Sequence, residues 1–408
     1  MKTYPYSFYI ALDGNGINGL EGAAGVCLFL FNPEDNSYAY KIKYFDGAAA
    51  GHWVTVNQNH QYGFLGNAAQ HLLFFDPKTL EEVNRISTLQ FETNDTSIRG
   101  STHLVWLNNN EFITAIGDYF YQFNIKNLSN GQKLGPHKLK LPHTMKLSPS
   151  GRYICYGSMD NPSLGAKGEA KEVGIWDIKT KKATRIELPA TCWHLVTHPK
   201  KEIFYATSFR VLPQDHVDYH EWAMAYLKEY AFEIDILDKK VLRHWSASRE
   251  TPAHINSDMT ISDKELIFCN GGSQTIVCID LENFSSFRII DEKPDIATLV
   301  KKHRQVSTQV YDVLARGGIF DNSRHLLGAM RVSRFSLLDS IYACQLSKDQ
   351  SLLFTANRGL NHITIYDYPS AKIRLRVEMP EIQDYISHLE KSGDPRLGFH
   401  HGHLISPD

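Results

Sequence analysis

The sequence has no long hydrophobic run and no excess of charge of either sign. No stretch approaches the about 18 consecutive apolar residues that a membrane-spanning helix needs. Lys and Arg number 43 against 45 Asp and Glu, which gives a formal net charge of -2. Without a strong positive field to attract nucleic acid or an anionic membrane, we expect a small-molecule substrate and neither of those partners. The oligomeric state is left open.

Paired cysteines are also missing. None of the six cysteines forms a Cys-x-x-Cys pair, so zinc-finger spacing and haem attachment are absent. Most of them lie in apolar runs, which is typical of buried, reduced thiols in a cytoplasmic protein. The N-terminal residues Met1 to Tyr6 have no apolar core followed by a small-residue cleavage site, so we expect no signal peptide.

The nucleotide-binding and serine-hydrolase motifs are absent as well. There is no Gly-x-x-x-x-Gly-Lys-Ser/Thr loop and no Gly-x-Ser-x-Gly elbow. The Gly-x-Gly-x-x-Gly at residues 14–19 lies between two predicted strands of the first blade and lacks the strand–helix context of a nucleotide-binding loop, so it predicts a flexible turn. We therefore expect no haem, nucleotide or flavin.

What the sequence does have is a repeat. Each copy contains an alternating apolar segment, a polar turn and a second alternating segment, as in His143–Gly151 followed by Arg152–Gly157. This pattern predicts a β hairpin. A third strand ending in Asp or Asn follows, as at Asp177, and then a fourth. Four antiparallel strands per repeat of roughly 40–60 residues are typical of a β-propeller blade.

The two ends of the chain complement each other. Residues 401–408 repeat the inner-strand pattern without a second strand, and residues 6–12 form a second strand without an inner one. We therefore predict an all-β, seven-bladed β-propeller, a single domain over 1–408, in which the C-terminal strand completes the first blade. Two helical insertions are predicted, at 212–230 in blade five and at 291–340 before the last blade. Whether they cover a site is left open.

Histidines recur at one position of the repeat. When the copies are aligned on the hairpin turn, the residue five positions earlier is histidine in four of seven: His52, His103, His143 and His401. The other three copies have Trp193, Ser257 and Tyr342 there. Of these, Trp193 and Tyr342 predict either an apolar pocket wall or a plug of the channel. His194 and His254 lie close to the same position, and Asp258 follows Ser257.

Because inner strands line the channel of a propeller, residues at one register lie at one depth. Three to five imidazoles facing a common point suit zinc, copper or iron. We predict His52, His103, His143, His194 and His401 as metal ligands, with iron or copper favoured over zinc because no carboxylate belongs to the set. Asp258 and His254 are predicted as catalytic acid or base groups. The alternative is a repeat consensus in which each histidine makes the same local hydrogen bond.

The remaining histidines fall on predicted turns, outer strands or linkers. We expect these to be surface residues: His60, His71, His137, His198, His244, His325, His362 and His388.

Two segments carry a family resemblance. Residues 142–153, PHTMKLSPSGRY, and residues 342–367, which begin YACQLSKDQSLLFTANRG, resemble the YVTN-type repeats of seven-bladed lactonase-like propellers, amine dehydrogenase heavy chains and selenium-binding proteins. The resemblance implies the fold more than the activity. The catalytic cysteine pattern of selenium-binding proteins is not found. In architecture alone, the axial histidines are similar to those of carotenoid cleavage oxygenases, which hold iron with four histidines.

Together these observations favour a metal-dependent enzyme that acts oxidatively on a small organic substrate. Two alternatives stay open at this point. One is a non-catalytic propeller that binds a protein through its faces. The other is a metal-free lactonase-like hydrolase.

Overall fold

The described residues form 28 strands, which account for nearly all of the regular structure in that part of the chain. The computed structural model describes residues 3–12, 24–48, 51, 53–67, 69–91, 103–139, 142–158, 170–208, 229–247, 256–270, 275–291, 340–358, 362–379 and 402–407. In chain order the strands are β1 (Tyr6–Leu12), β2 (Gly25–Asn32), β3 (Ser37–Tyr44), β4 (Trp53–Val56), β5 (Gly63–Gly66), β6 (His71–Phe75), β7 (Glu82–Ser87), β8 (Leu104–Trp106), β9 (Glu111–Ile116), β10 (Tyr119–Asn124), β11 (Asn127–Pro136), β12 (Pro142–Leu147), β13 (Tyr153–Ser158), β14 (Glu172–Asp177), β15 (Lys182–Glu187), β16 (Cys192–Thr197), β17 (Ile203–Ser208), β18 (Tyr230–Asp235), β19 (Lys240–Ser246), β20 (Asn256–Ile261), β21 (Glu265–Asn270), β22 (Thr275–Asp280), β23 (Phe287–Asp291), β24 (Ser340–Leu346), β25 (Leu352–Arg358), β26 (His362–Asp367), β27 (Lys372–Glu378) and β28 (Gly402–Pro407). A short 3₁₀ helix, Thr88–Gln90, follows β7.

The strands form seven four-stranded antiparallel sheets. Six sheets use consecutive strands, and the seventh has the order β28-β1-β2-β3. The inner strands are therefore β28, β4, β8, β12, β16, β20 and β24. Strand β28 pairs with β1, with Tyr9 opposite Ser406, and also lies beside β24 and β4. The predicted all-β seven-bladed propeller and its closure by the C-terminal strand are confirmed.

The two predicted helical insertions fall almost entirely outside the described residues. Of the range 212–230 the structure describes only 229–230, where Tyr230 begins β18. Of the range 291–340 it describes Asp291, the last residue of β23, and Ser340, the first of β24. In the part of the chain that is described, no helix has the length and hydropathy that a membrane crossing needs.

The hairpin turns have a common hydrogen-bonding pattern. At the aligned turn position, Asn57 Oδ1 accepts the amide hydrogens of Gln61 and Tyr62 at 2.9 and 3.0 Å. Ser148 Oγ likewise accepts the amide of Tyr153 at 3.1 Å. The same role belongs to Asn108, His198, Ser262 and Ser347. Because these side chains satisfy turn amides that the strands leave unpaired, the alignment made on them is structurally correct.

Among the described residues, seven apolar clusters form the core, one between each pair of neighbouring blades. Between blades seven and one, for example, Phe354 of β25 packs in the same cluster as Phe8 of β1 and Phe31 of β2. Each blade therefore buries apolar side chains on both of its faces against its neighbours, in the part of the chain that the structure describes.

All six cysteines are buried and none forms a disulfide, as expected from their apolar surroundings. The prediction of surface histidines was wrong for His71, His137, His198 and His362, which are buried. His137 Nε2–H donates to the Gly117 carbonyl, and its Nδ1 accepts the Leu139 amide hydrogen. The buried ring therefore bonds two backbone groups, and both of its nitrogens are satisfied. His198 is buried because its Nδ1 accepts two turn amides. Two others, His325 and His388, lie outside the described residues.

Candidate functional site

The inner strands are irregular where the predicted histidines lie. Five inner strands have a register shift near their first residues, including one between His143 and Met145 in β12 and one between Cys192 and His194 in β16. A bulge adds one residue to a strand and so reverses the alternation of its side chains. In β12 the extra residue is Thr144, so His143 lies opposite Gly157 of the neighbouring strand. In β16 His194 lies opposite Thr207, which is the equivalent position in the next blade, although His194 is one residue nearer its hairpin turn. His194 therefore joins the group although it misses the sequence register.

Three of the predicted metal ligands lie together. The ring centroids of His103 and His143 are 4.6 Å apart, and those of His143 and His194 are 5.4 Å apart. The three side chains come from blades three, four and five and are at most 4% exposed. We call these three residues the axial histidine cluster. The other two predicted ligands, His52 and His401, and the predicted catalytic residue His254 lie outside the described residues.

The members of the cluster differ in where their protons must lie. His143 Nδ1 is 3.0 Å from the Trp193 carbonyl oxygen, which can only accept, so Nδ1 carries a hydrogen. In the neutral ring this places the lone pair on Nε2. His103 Nδ1 instead accepts the Thr144 amide at 3.3 Å, so the hydrogen of its neutral ring lies on Nε2. His143 thus has the orientation of a metal-ligating histidine, whereas His103 directs an N–H from its Nε2.

Thr144 connects these two histidines through an unusual backbone conformation. Its φ of 36° lies in the left-handed region, which a β-branched residue rarely adopts and which costs about 1–3 kcal/mol. Its amide donates to His103, and its hydroxyl lies 3.1 Å from His143 Nδ1. The strained bulge therefore positions both rings. The sequence analysis missed Thr144, since nothing in the pattern of residues marks a bulge.

Aromatic residues flank the cluster. The ring of Trp53 is centred 5.1 Å from that of His103, and the ring of Trp193 is 5.4 Å from that of His143. Tyr342 lies 6.5 Å from His194. Trp193 and Tyr342, which the sequence left as either pocket wall or plug, are both buried beside the histidines.

A lysine and an aspartate lie in the same channel. Asp258 of β20 is 6% exposed, and burial raises its pKa to about 7, against the opposing effects of Lys146 and of the Met259 and Cys344 amides. Burial lowers the pKa of Lys146 of β12, against the opposing effect of Asp258. The Lys146 ammonium is also 5.3 Å from the Trp53 ring centroid.

The positions of these residues place the ammonium near the propeller axis. Trp53, Lys146 and Asp258 belong to blades two, four and six. Because Lys146 interacts with both Trp53 and Asp258, which lie in blades on either side of its own, its side chain must extend into the channel. The sequence analysis predicted Asp258 and missed Lys146. The available signal was a single cation in a segment predicted to line the channel.

Within the described residues, no group of three or more His, Cys, Asp or Glu side chains is arranged to hold a metal ion. This leaves the predicted five-histidine set untested, because two of its members are not described.

No protein-family model matches the chain, and no curated protein matches it in sequence.

Proposed function

We propose that this protein is a cytoplasmic enzyme that binds a metal ion through the axial histidines and acts oxidatively on a small organic substrate. Iron or copper is favoured over zinc. The observation that carries the proposal is the contact of three buried imidazoles from consecutive blades, one of them oriented as a ligand. We also propose that the repeats belong with the YVTN-type propellers, on the resemblance of the segments around His143 and Tyr342.

The residues differ in how well they fit a metal ion. His143 fits best, because a ligating histidine commonly donates its other N–H to a backbone carbonyl, as His143 does to Trp193. His194, His103, His52 and His401 would complete the set. A bound iron or copper ion supplies redox chemistry and Lewis acidity. As placed, His103 contributes a hydrogen-bond donor, and it would act as a ligand only after losing its Nε2 proton.

The other residues of the channel have roles of their own. Trp53, Trp193 and Tyr342 surround the imidazoles with apolar surface, which limits the access of water. Asp258 can hold or release a proton near neutral pH, because burial brings its pKa to about 7. The Trp193 carbonyl and Thr144 fix the ring of His143.

One observation favours a second candidate, a metal-free hydrolase. Lys146 and Asp258 lie in the same channel and influence each other's pKa through charge, and an amine and a carboxyl group there can transfer protons to and from a bound substrate. This candidate predicts hydrolysis of lactones that survives exhaustive chelation.

Elemental analysis of the full-length, tag-free protein tests the first proposal. We expect near-stoichiometric iron or copper in the wild type and loss of that metal in His143→Gln. The exposed His244→Gln is the matched control and should retain it, with circular dichroism confirming that each variant is folded. No metal after reconstitution with each candidate ion, or full metal content in His143→Gln, would refute the proposal.

The variant His103→Gln separates the two roles of His103. Glutamine still accepts an amide hydrogen and donates an N–H. Retained metal therefore assigns His103 a hydrogen-bonding role, whereas lost metal makes it a ligand.

A further inference from the structure

The start of β20 carries buried polar atoms that the proposed metal site does not use. Within the described residues, Asn256 Oδ1, Ser257 Oγ and Asp258 Oδ2 are buried and have no hydrogen-bond partner. Asp258 itself is more than nine-tenths buried and lies in an inner strand. Buried polar atoms are nearly always satisfied in native proteins, so three in succession indicate a place where a ligand supplies the partner.

Lys146 approaches the same place from another blade. Its ammonium lies over the Trp53 ring and interacts with Asp258 through charge. Among the described residues it makes no direct ion pair, with Asp258 or with any other carboxylate. Each of the two charges therefore keeps the capacity to bind a further group of opposite polarity.

The inner strands contain one charge of each sign. Across the seven inner strands as described, Lys146 is the only Lys or Arg, and Asp258 is the only Asp or Glu. A dianionic phosphate would need more positive charge than one ammonium beside a carboxyl group. A single carboxylate with a neighbouring hydrogen-bond donor matches this pair in both charge and polarity.

We propose that Lys146 and Asp258 form a substrate-binding subsite for a small carboxylate that carries a hydroxyl or amino group on the adjacent carbon. The Lys146 ammonium binds the carboxylate, and Asp258 Oδ2 accepts the hydrogen of the hydroxyl or amine. The face of Trp53 contacts the carbon chain. This inference rests on the proposed function, since it takes the channel to be the active site and names its substrate class.

The burial of Asp258 supports this arrangement. Because its pKa is raised to about 7, a large share of the carboxyl groups is protonated near neutral pH. A substrate carboxylate at Lys146 is then repelled less than by a fully ionised neighbour.

The test measures the binding of glycolate to the full-length protein by ligand-observed NMR. Glycolamide serves as the uncharged analogue and acetate as the analogue without a hydroxyl. We expect the wild type to bind glycolate more tightly than either. Lys146→Met should weaken glycolate binding about 10- to 100-fold, because a charge-assisted hydrogen bond is lost. It should leave glycolamide binding nearly unchanged, which a general structural defect would not.

Lys133→Met is the matched control. Lys133 also lies over an aromatic ring, with its ammonium 3.7 Å from the Tyr119 centroid, but it is exposed on an outer strand. We expect no effect on glycolate binding. Asp258→Ala should remove the preference for glycolate over acetate. If Lys146→Met fails to fold, Lys146→Gln replaces it. Equal glycolate binding by the folded Lys146 variant and the wild type, or no glycolate binding at all, would overturn the proposal.

Metal content measured on the same samples separates the two proposals. Lys146-dependent glycolate binding in a protein that takes up no metal supports the subsite and refutes the oxidative metal function. Metal uptake without Lys146-dependent glycolate binding supports the metal function and refutes the subsite.

Discussion

His103 and His143 occupy the same position in successive repeats, yet their rings are in different chemical states. The difference comes from their partners, since a backbone carbonyl faces Nδ1 of His143 and a backbone amide faces Nδ1 of His103. A residue type at a register therefore does not fix a role. The partner atom fixes the tautomer, and the tautomer decides whether the ring offers a lone pair or a proton.

Asp258 gives a prediction for stability against pH. Its pKa is about 7 in the folded protein and 3.8 in a model carboxyl group, so ionisation costs more in the folded state. The free energy of unfolding should fall as pH rises from about 4 to about 7 and then level off. Asp258→Asn removes this loss, and the variant should gain up to about 4 kcal/mol relative to the wild type between those pH values.

Lys146 is the charged residue that interacts with Asp258, and its own titration changes the stability of Asp258→Asn in the same direction. Without the carboxylate its pKa falls further, so the variant gains additional stability as pH rises. Urea unfolding at pH 4, 5.5 and 8 measures the effect, with the exposed Asp263→Asn as the control. Identical pH profiles for Asp258→Asn and the wild type would contradict a buried carboxyl with a raised pKa.

At the scale of the element, side-chain acceptors stabilise the turns between the strands of each blade. The hairpin turns use Asn, Ser or His oxygen and nitrogen atoms as acceptors. After the third strand, Asp76 Oδ1 accepts the amides of Lys78 and Thr79, as expected from the recurrent Asp there. The apolar alternation together with these acceptors made the strands predictable.

Ser347 tests the hairpin turn. Its Oγ accepts the amides of Ser351 and Leu352 at 3.2 and 3.0 Å, and it is 3% exposed. Ser347→Ala leaves both amides without this acceptor and should lower the free energy of unfolding by about 1–2 kcal/mol. Chemical denaturation measures the change. Ser370→Ala, on an exposed turn where the hydroxyl donates to the Asp367 carbonyl, is the control and should change it by less than about 0.5 kcal/mol. Equal effects would show that the Ser347 acceptor is dispensable.

At the scale of the whole molecule, the interface between blades seven and one is equivalent to the others. Phe354 in that interface and Phe112 between blades two and three are both fully buried. Phe354→Leu and Phe112→Leu should therefore each lower the free energy of unfolding by about 1–2 kcal/mol. Urea unfolding of the two variants checks this. A much smaller loss at Phe354 would mean that the ring is not closed in solution.

The sequence by itself determined the seven blades, because a period of two and a recurrent turn acceptor leave few alternatives to four-stranded sheets. It also determined the closure by residues 401–408 and the approximate depth of His103 and His143. These are local properties, repeated often enough along the chain to be recognised without a relative.

Only the tertiary structure decided which side chains meet. The bulge at Thr144 places His143 level with His194. His198 is buried because its ring accepts turn amide hydrogens. Lys146 and Asp258 lie far apart in the chain, and their pairing exists only because the ring brings blades four and six to one axis. Alternation places a residue on one face of its strand. Bulges and the neighbouring blades then determine what that residue faces, and the pattern of residues does not mark a bulge.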